Sequence, residues 1–127
     1  MKLDIELIKK ILEYAINDES WPMPIEKFSI EGYDQKIIQY HLYQMEEANL
    51  IVSYSHPYEC LEDQVPILLI HRLTMEGHSF YANALSENAW NSTLAIFKSL
   101  GGFSLGIFSQ VLAGAVLAYA KNHLGLP

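Results

Sequence analysis

The side chains best equipped for chemistry fall between His56 and His71, where His56, Cys60, Glu62 and Asp63 are metal-capable and close in sequence and His71 follows eight residues on. A structural zinc site needs four converging ligands, usually from two paired sets, and a single H-x-x-x-C with no second pair does not provide them. His71 would have to reach over from a facing strand, so no metal is expected. Cys60 has no base at a recognisable spacing to activate it as a nucleophile. Glu76 and His78, two apart on a helix, point to different sides and form no acid/base pair. The chain has no glycine-rich phosphate loop, paired-carboxylate motif or nucleophile elbow. No catalytic residue and no cofactor are expected, and the protein reads as a non-enzyme.

A second set of residues suits recognition. Gln35, Lys36, Gln39, Tyr40, Tyr43 and Gln44 lie off the apolar stripe made by Ile38, Leu42, Met45 and Ala48 at i, i+4, i+7 and i+10, which places them on the outward face of one helix. Amide and phenol groups in such a row can hydrogen-bond adenine edges or phosphates in a major groove, or a protein surface; a merely solvated polar face has the same composition. Charge separates these readings. Between Asp34 and Asn49 one Lys36 stands against Asp34, Glu46 and Glu47, and the stretch beyond adds Glu59, Glu62 and Asp63 with no base. Across the chain 15 acids meet 8 bases, only one of them an arginine (Arg72), for a net charge of −7. Lys and Arg contacts to phosphate supply most DNA affinity, and arginine is the commonest reader of guanine. A protein partner is therefore preferred to nucleic acid.

The elements that position these residues follow from pattern and punctuation. Asp4 caps a first helix over about residues 4–16, with Ile5, Ile8, Leu12 and Ala15 on one face. Trp21-Pro22-Met23-Pro24 reads as an extended connector to a short strand near Phe28 to Ile30 that would close a small sheet. Asp34 caps the central helix, which runs to Asn49, a residue suited to a left-handed turn. Leu50 to Ser55 and Ile67 to Leu73 are β-rich runs joined by HPYECLEDQVP, a hairpin with a long tip. Thr74 caps a helix that extends to about Leu100 with Asn88 as its break, and Gly77 permits close approach of another backbone. Gly101-Gly102 ends it, and Ser104 caps a last helix.

From Phe103 to Ala120 there is no charged residue. Core, dimer contact and membrane span all fit that composition, and Ser104, Ser109, Gln110 and Tyr119 weigh against the membrane. A homodimer through Phe108, Val111, Leu112, Ala115 and Tyr119 is expected. At 127 residues the chain suffices for one structural unit, a winged-helix-like part over 1–100 with an apolar C-terminal helix over 101–127. One cysteine excludes an internal disulfide framework, and MKLDIELIKKILEYA lacks the run of a signal peptide, so a cytoplasmic protein is expected. The fold class is α+β, a winged helix-turn-helix-like domain with a small antiparallel sheet and added C-terminal helices.

Three stretches carry a resemblance: IEGYDQKIIQYHLYQMEEANLI, HRLTMEGHSFYANALSENAWN with its Leu-Thr-x-x-Gly-His and downstream Trp90, and the closing NHLGL. In these the chain resembles the phage- and bacterium-encoded family known as domain of unknown function number 2513. That family usually has Trp where Met75 stands here, and more basic residues after the counterpart of Trp90 than the single Lys98 of SENAWNSTLAIFKSLGG. The resemblance implies a prophage-type winged-helix protein and brings no catalytic residue. The leading expectation is an accessory protein that binds another protein, as an inhibitor of a host system would, and the alternative is a DNA-binding transcriptional regulator.

Overall fold

A computed structural model describes residues 1–18 and 29–125. It is α+β: among the described residues, five helices surround one two-stranded antiparallel sheet, in the order α1 (Ile5–Asn17), α2 (Gln35–Glu47), β1 (Ile51–Cys60), β2 (Pro66–Leu73), α3 (Met75–Ala84), α4 (Glu87–Ser99) and α5 (Leu105–Leu124). The expected caps are in place. Asp4 Oδ1 accepts the Leu7 N–H (3.2 Å), Asp34 Oδ1 the Ile37 N–H (3.0 Å), Thr74 Oγ1 the Gly77 N–H (2.9 Å) and Ser104 Oγ the Ile107 N–H (3.2 Å), each satisfying a donor the helix start leaves open. Asn49 takes a φ of 61°, and this left-handed step turns the chain from α2 into β1.

One core joins every element. Leu7, Ile8, Ile11 and Leu12 of α1 meet Ile38, Leu42 and Met45 of α2, Ile70 and Leu73 of β2, and Phe80 of α3. An aromatic cluster closes its far side. Phe108 of α5 lies 5.4–6.3 Å, centroid to centroid, from Trp90, Phe97, Phe80 and Phe103, edge to face with the first two and tilted against the others. The Trp90 Nε1–H donates to Glu6 Oε1 (3.3 Å) and Lys9 Nζ sits 4.9 Å from the ring centre, tying α4 to α1.

Four expectations need correction. The hairpin is longer than its β-rich runs: β1 continues to Cys60 and β2 starts at Pro66, leaving 61–65 as the tip. Pro57 is accommodated because the register is irregular between Ser55 and Cys60, where a missing N–H costs no ladder bond. Residues 75–100 form two helices whose break is at Leu85-Ser86, ahead of Asn88. The break lets Ala84 at the end of one helix and Ala89 and Trp90 at the start of the next all turn inward. The strand placed near Phe28 to Ile30 falls partly outside the described residues, as does the Trp21–Pro24 connector, and Ser29 and Ile30 are not in a strand.

The last correction concerns the dimer residues. Phe108 and Leu112 are fully buried within the one chain, and Val111 and Ala115 are half-buried, because the face of α5 that carries them completes the core. Tyr119 is 42 % exposed, its hydroxyl 3.2 Å from Ser92 Oγ on α4. Among the described residues, no helix is long and apolar enough to cross a membrane.

Candidate interaction site

The face of α2 that reads as outward from its sequence is divided in the structure. Gln39 is 1 % exposed. Its Nε2–H donates to Leu68 O (3.1 Å) while its Oε1 accepts the Leu68 N–H (2.7 Å). One turn on, the Tyr43 hydroxyl donates to Pro66 O (2.7 Å). The match is geometric: four residues of helix rise about 6 Å and two residues of strand about 6.6 Å, so positions 39 and 43 meet alternate peptide groups on the same edge of β2. Side chains of α2 thus take hydrogen bonds that a third strand would otherwise make, and they blunt an edge that invites unwanted pairing. Gln39 is not a surface reader. Burial, with Glu46, Cys60 and Asp63 adding negative charge, pushes the Tyr43 phenol above its usual range and keeps it a donor.

What α2 still presents is Lys36 and the rims of Gln35, Tyr40 and Gln44, with Asp34, Glu46 and Glu47 fully outward. The hairpin tip leans over its N-terminal end. Asp34, Gln35, Lys36, Leu61, Glu62 and Asp63 line an open cleft of about 540 Å³ between them. Three carboxylates and one ammonium border it. The Tyr58 side chain stands 91 % exposed on the hairpin.

The two histidines of the hairpin face its tyrosines. His56 Nδ1 accepts the Tyr58 N–H (3.1 Å), with its ring edge-on to Tyr58, and His71 lies edge-on to Tyr54 at 6.3 Å. No group of three or more His, Cys, Asp or Glu side chains among the described residues is arranged to hold a metal ion.

Two further groups stand outside the residues that the sequence pattern marks for recognition. His41 is fully buried; its Nε2 accepts the Asp4 N–H (2.8 Å) and its Nδ1 lies 2.8 Å from Ile37 O, which only an Nδ1–H tautomer satisfies. Tyr33 donates to Asp4 Oδ2 (3.3 Å), and burial, then the Asp4 charge, holds its phenol above the ordinary tyrosine range. These residues line a cleft of about 590 Å³ with Leu3, Leu94 and Phe97. The Asp4–His41 and Asp4–Tyr33 bonds tie the start of α1 to α2 and to the residues before it, while Asp4 Oδ1 and His41 Nδ1 bond within their own helices, so the chemistry of this knot is structural. The signal was available: His41 stands at i+3 from Ile38, on the inward stripe.

The Leu-Thr-x-x-Gly motif also resolves into geometry. Thr74 donates through Oγ1 to Asn49 O (2.6 Å) and through its N–H to Leu50 O (3.0 Å), and a Cβ added at Gly77 would overlap that Leu50 carbonyl. The motif clamps the exit of the hairpin to the turn between α2 and β1. Fold and site together define a small α+β domain that offers a helix and a protruding hairpin as its polar surface. The chain belongs to the family described as Hypothetical protein (DUF2513), whose model matches residues 2–104. No curated protein and no solved structure matches it.

Proposed function

We propose that this protein is a non-enzymatic module, of the winged-helix kind found in phage and prophage accessory proteins, that docks on another protein through the outer face of α2 and the hairpin tip. The observation that carries this reading is the charge around the cleft between them: Asp34, Glu62 and Asp63 against Lys36, with Glu46 and Glu47 further along the helix. Such a surface repels phosphate and attracts a basic protein face, which steers association and selects the partner. An inhibitor that occupies the basic channel of a host nucleic-acid-binding protein fits this chemistry.

The second reading is a DNA-binding regulator, and what favours it is that exposed Lys36 and half-buried Tyr40 and Gln44 stand at i, i+4 and i+8 on the helix that leads into the hairpin. The two readings part on duplex affinity. In fluorescence anisotropy at physiological salt, no duplex should bind more tightly than about micromolar, the level of non-specific contact. Nanomolar, sequence-selective binding that Lys36→Ala weakens on every sequence would replace the protein-partner reading with the regulator.

A further inference from the structure

The back of α5 is bare. Opposite the buried face of Leu105, Phe108 and Leu112, the exposed residues Ile107, Gln110, Gly114, Leu117, Lys121 and Leu124 follow one another at spacings of 3, 4, 3, 4 and 3. Residues at these spacings share one face of any helix; in a seam between two helices they would stand at a and d positions, and here three of the six, Ile107, Leu117 and Leu124, are large exposed apolar side chains. The positions flanking it, Gly106, Ala113, Ala118 and Ala120, are exposed and small, so a second helix can approach at the short end of the usual 8–10 Å.

We infer that α5 pairs with α5 of a second copy, antiparallel, across this seam. The sequence of the seam is its own complement when reversed. Antiparallel pairing that sets each a position against a d position places Ile107 opposite Leu124, Gln110 opposite Lys121, and Gly114 opposite Leu117 of the second copy. Apolar meets apolar, an amide oxygen meets the ammonium, and the Leu117 side chain enters the notch left by Gly114. A parallel pair would set Lys121 against Lys121 and leave a void at Gly114. In the antiparallel pair the two Lys121 are about 16 Å apart along the axis, from a rise of ~1.5 Å per residue. Each seam contact then occurs twice about a two-fold axis, as an isologous interface requires.

The area sets the strength. One third of the circumference of a helix about 30 Å long offers roughly 400 Å², so a pair buries about twice that, below the roughly 1,200 Å² of stable specific interfaces and in the range of weak, transient ones. Ile96 (45 % exposed) and Leu100 (68 %) add apolar surface at the end of α4 from which the chain enters α5. The dimer should accordingly dissociate on dilution. It is independent of the docking surface proposed above, and uses a face of α5 other than the one its composition first suggests.

Sedimentation velocity of the full chain from 1 to several hundred micromolar tests this, with Leu117→Glu as the disrupting change at an exposed position and circular dichroism to verify its fold. In a Cys60→Ser background, Ile107→Cys and Leu124→Cys proteins are then mixed under oxidising conditions. The expected result is a parent that shifts from monomer to dimer with concentration, a monomeric Leu117→Glu of unchanged helicity, and a mixed disulfide with little product from either cysteine variant alone. A parent monomeric throughout overturns the inference, as does a dimer that survives Leu117→Glu. Cross-links between like positions without the mixed product mean a parallel pair and reject the geometry. A monomer that floats with anionic vesicles hands the seam to a lipid surface.

Discussion

At Gly77 any side chain would meet the Leu50 carbonyl oxygen, and the obstacle is main chain rather than a flexible neighbour. Gly77→Ala should cost about 3 kcal/mol, the upper range for overpacking, in urea melts. Thr74→Ala removes both the cap on Gly77 N–H and the bond to Asn49 O, and should cost about 1–2 kcal/mol by the same measurement. The motif was legible in the sequence as a cap and a close approach; its target, a carbonyl 27 residues upstream of Gly77, was not, because nothing local to either segment specifies the meeting. At His41, two committed ring nitrogens predict that ¹⁵N-edited spectra of the neutral ring show Nδ1–H and a bare Nε2. Tyr33 and Tyr43 supply a pH dependence of known sign. Both are held above the ordinary tyrosine value of 10.0, so above pH 10 the unfolded chain loses protons that the native chain keeps. Their contribution to stability is whole below pH 10 and falls as the pH rises through the native values, which alkaline ultraviolet difference spectra combined with melts will register.

At the scale of elements, α2 and β2 show why a polar stripe in sequence does not prove a binding face. Gln39 and Tyr43 have the residue types of a reader, but β2 has an open edge at the same height and the helix lies against it. A buried amide that satisfies one N–H and one C=O is worth more to the fold than to a partner. Gln39→Leu strands the Leu68 N–H and C=O and should cost about 2 kcal/mol. The α5 helix is the converse case. Its lack of charge as far as Ala120 was plain in the sequence, yet which third of the cylinder packs inward depends on where Phe80, Trp90 and Phe97 place their rings, and those arrive from α3 and α4. Helix starts were legible because a cap is chemistry local to four residues. The break at Leu85-Ser86 was not, since Ser86 makes no side-chain cap bond and the turn is imposed by burial on either side.

For the whole molecule, the seven-charge excess of acid is distributed so that the α2 face and the hairpin tip share a border of carboxylates, while the apolar seam of α5 lies elsewhere. The first surface is the one proposed to meet a basic protein partner. The most direct measurement is affinity capture from the native host with the full chain and with its Glu47→Lys/Glu62→Lys/Asp63→Lys variant, verified as folded, followed by mass spectrometry. The expected result is a protein with a basic surface recovered by the parent and lost from the variant. Recovery of the same partner by both, or of nucleic acid bound more tightly by the parent than by the variant, would contradict it.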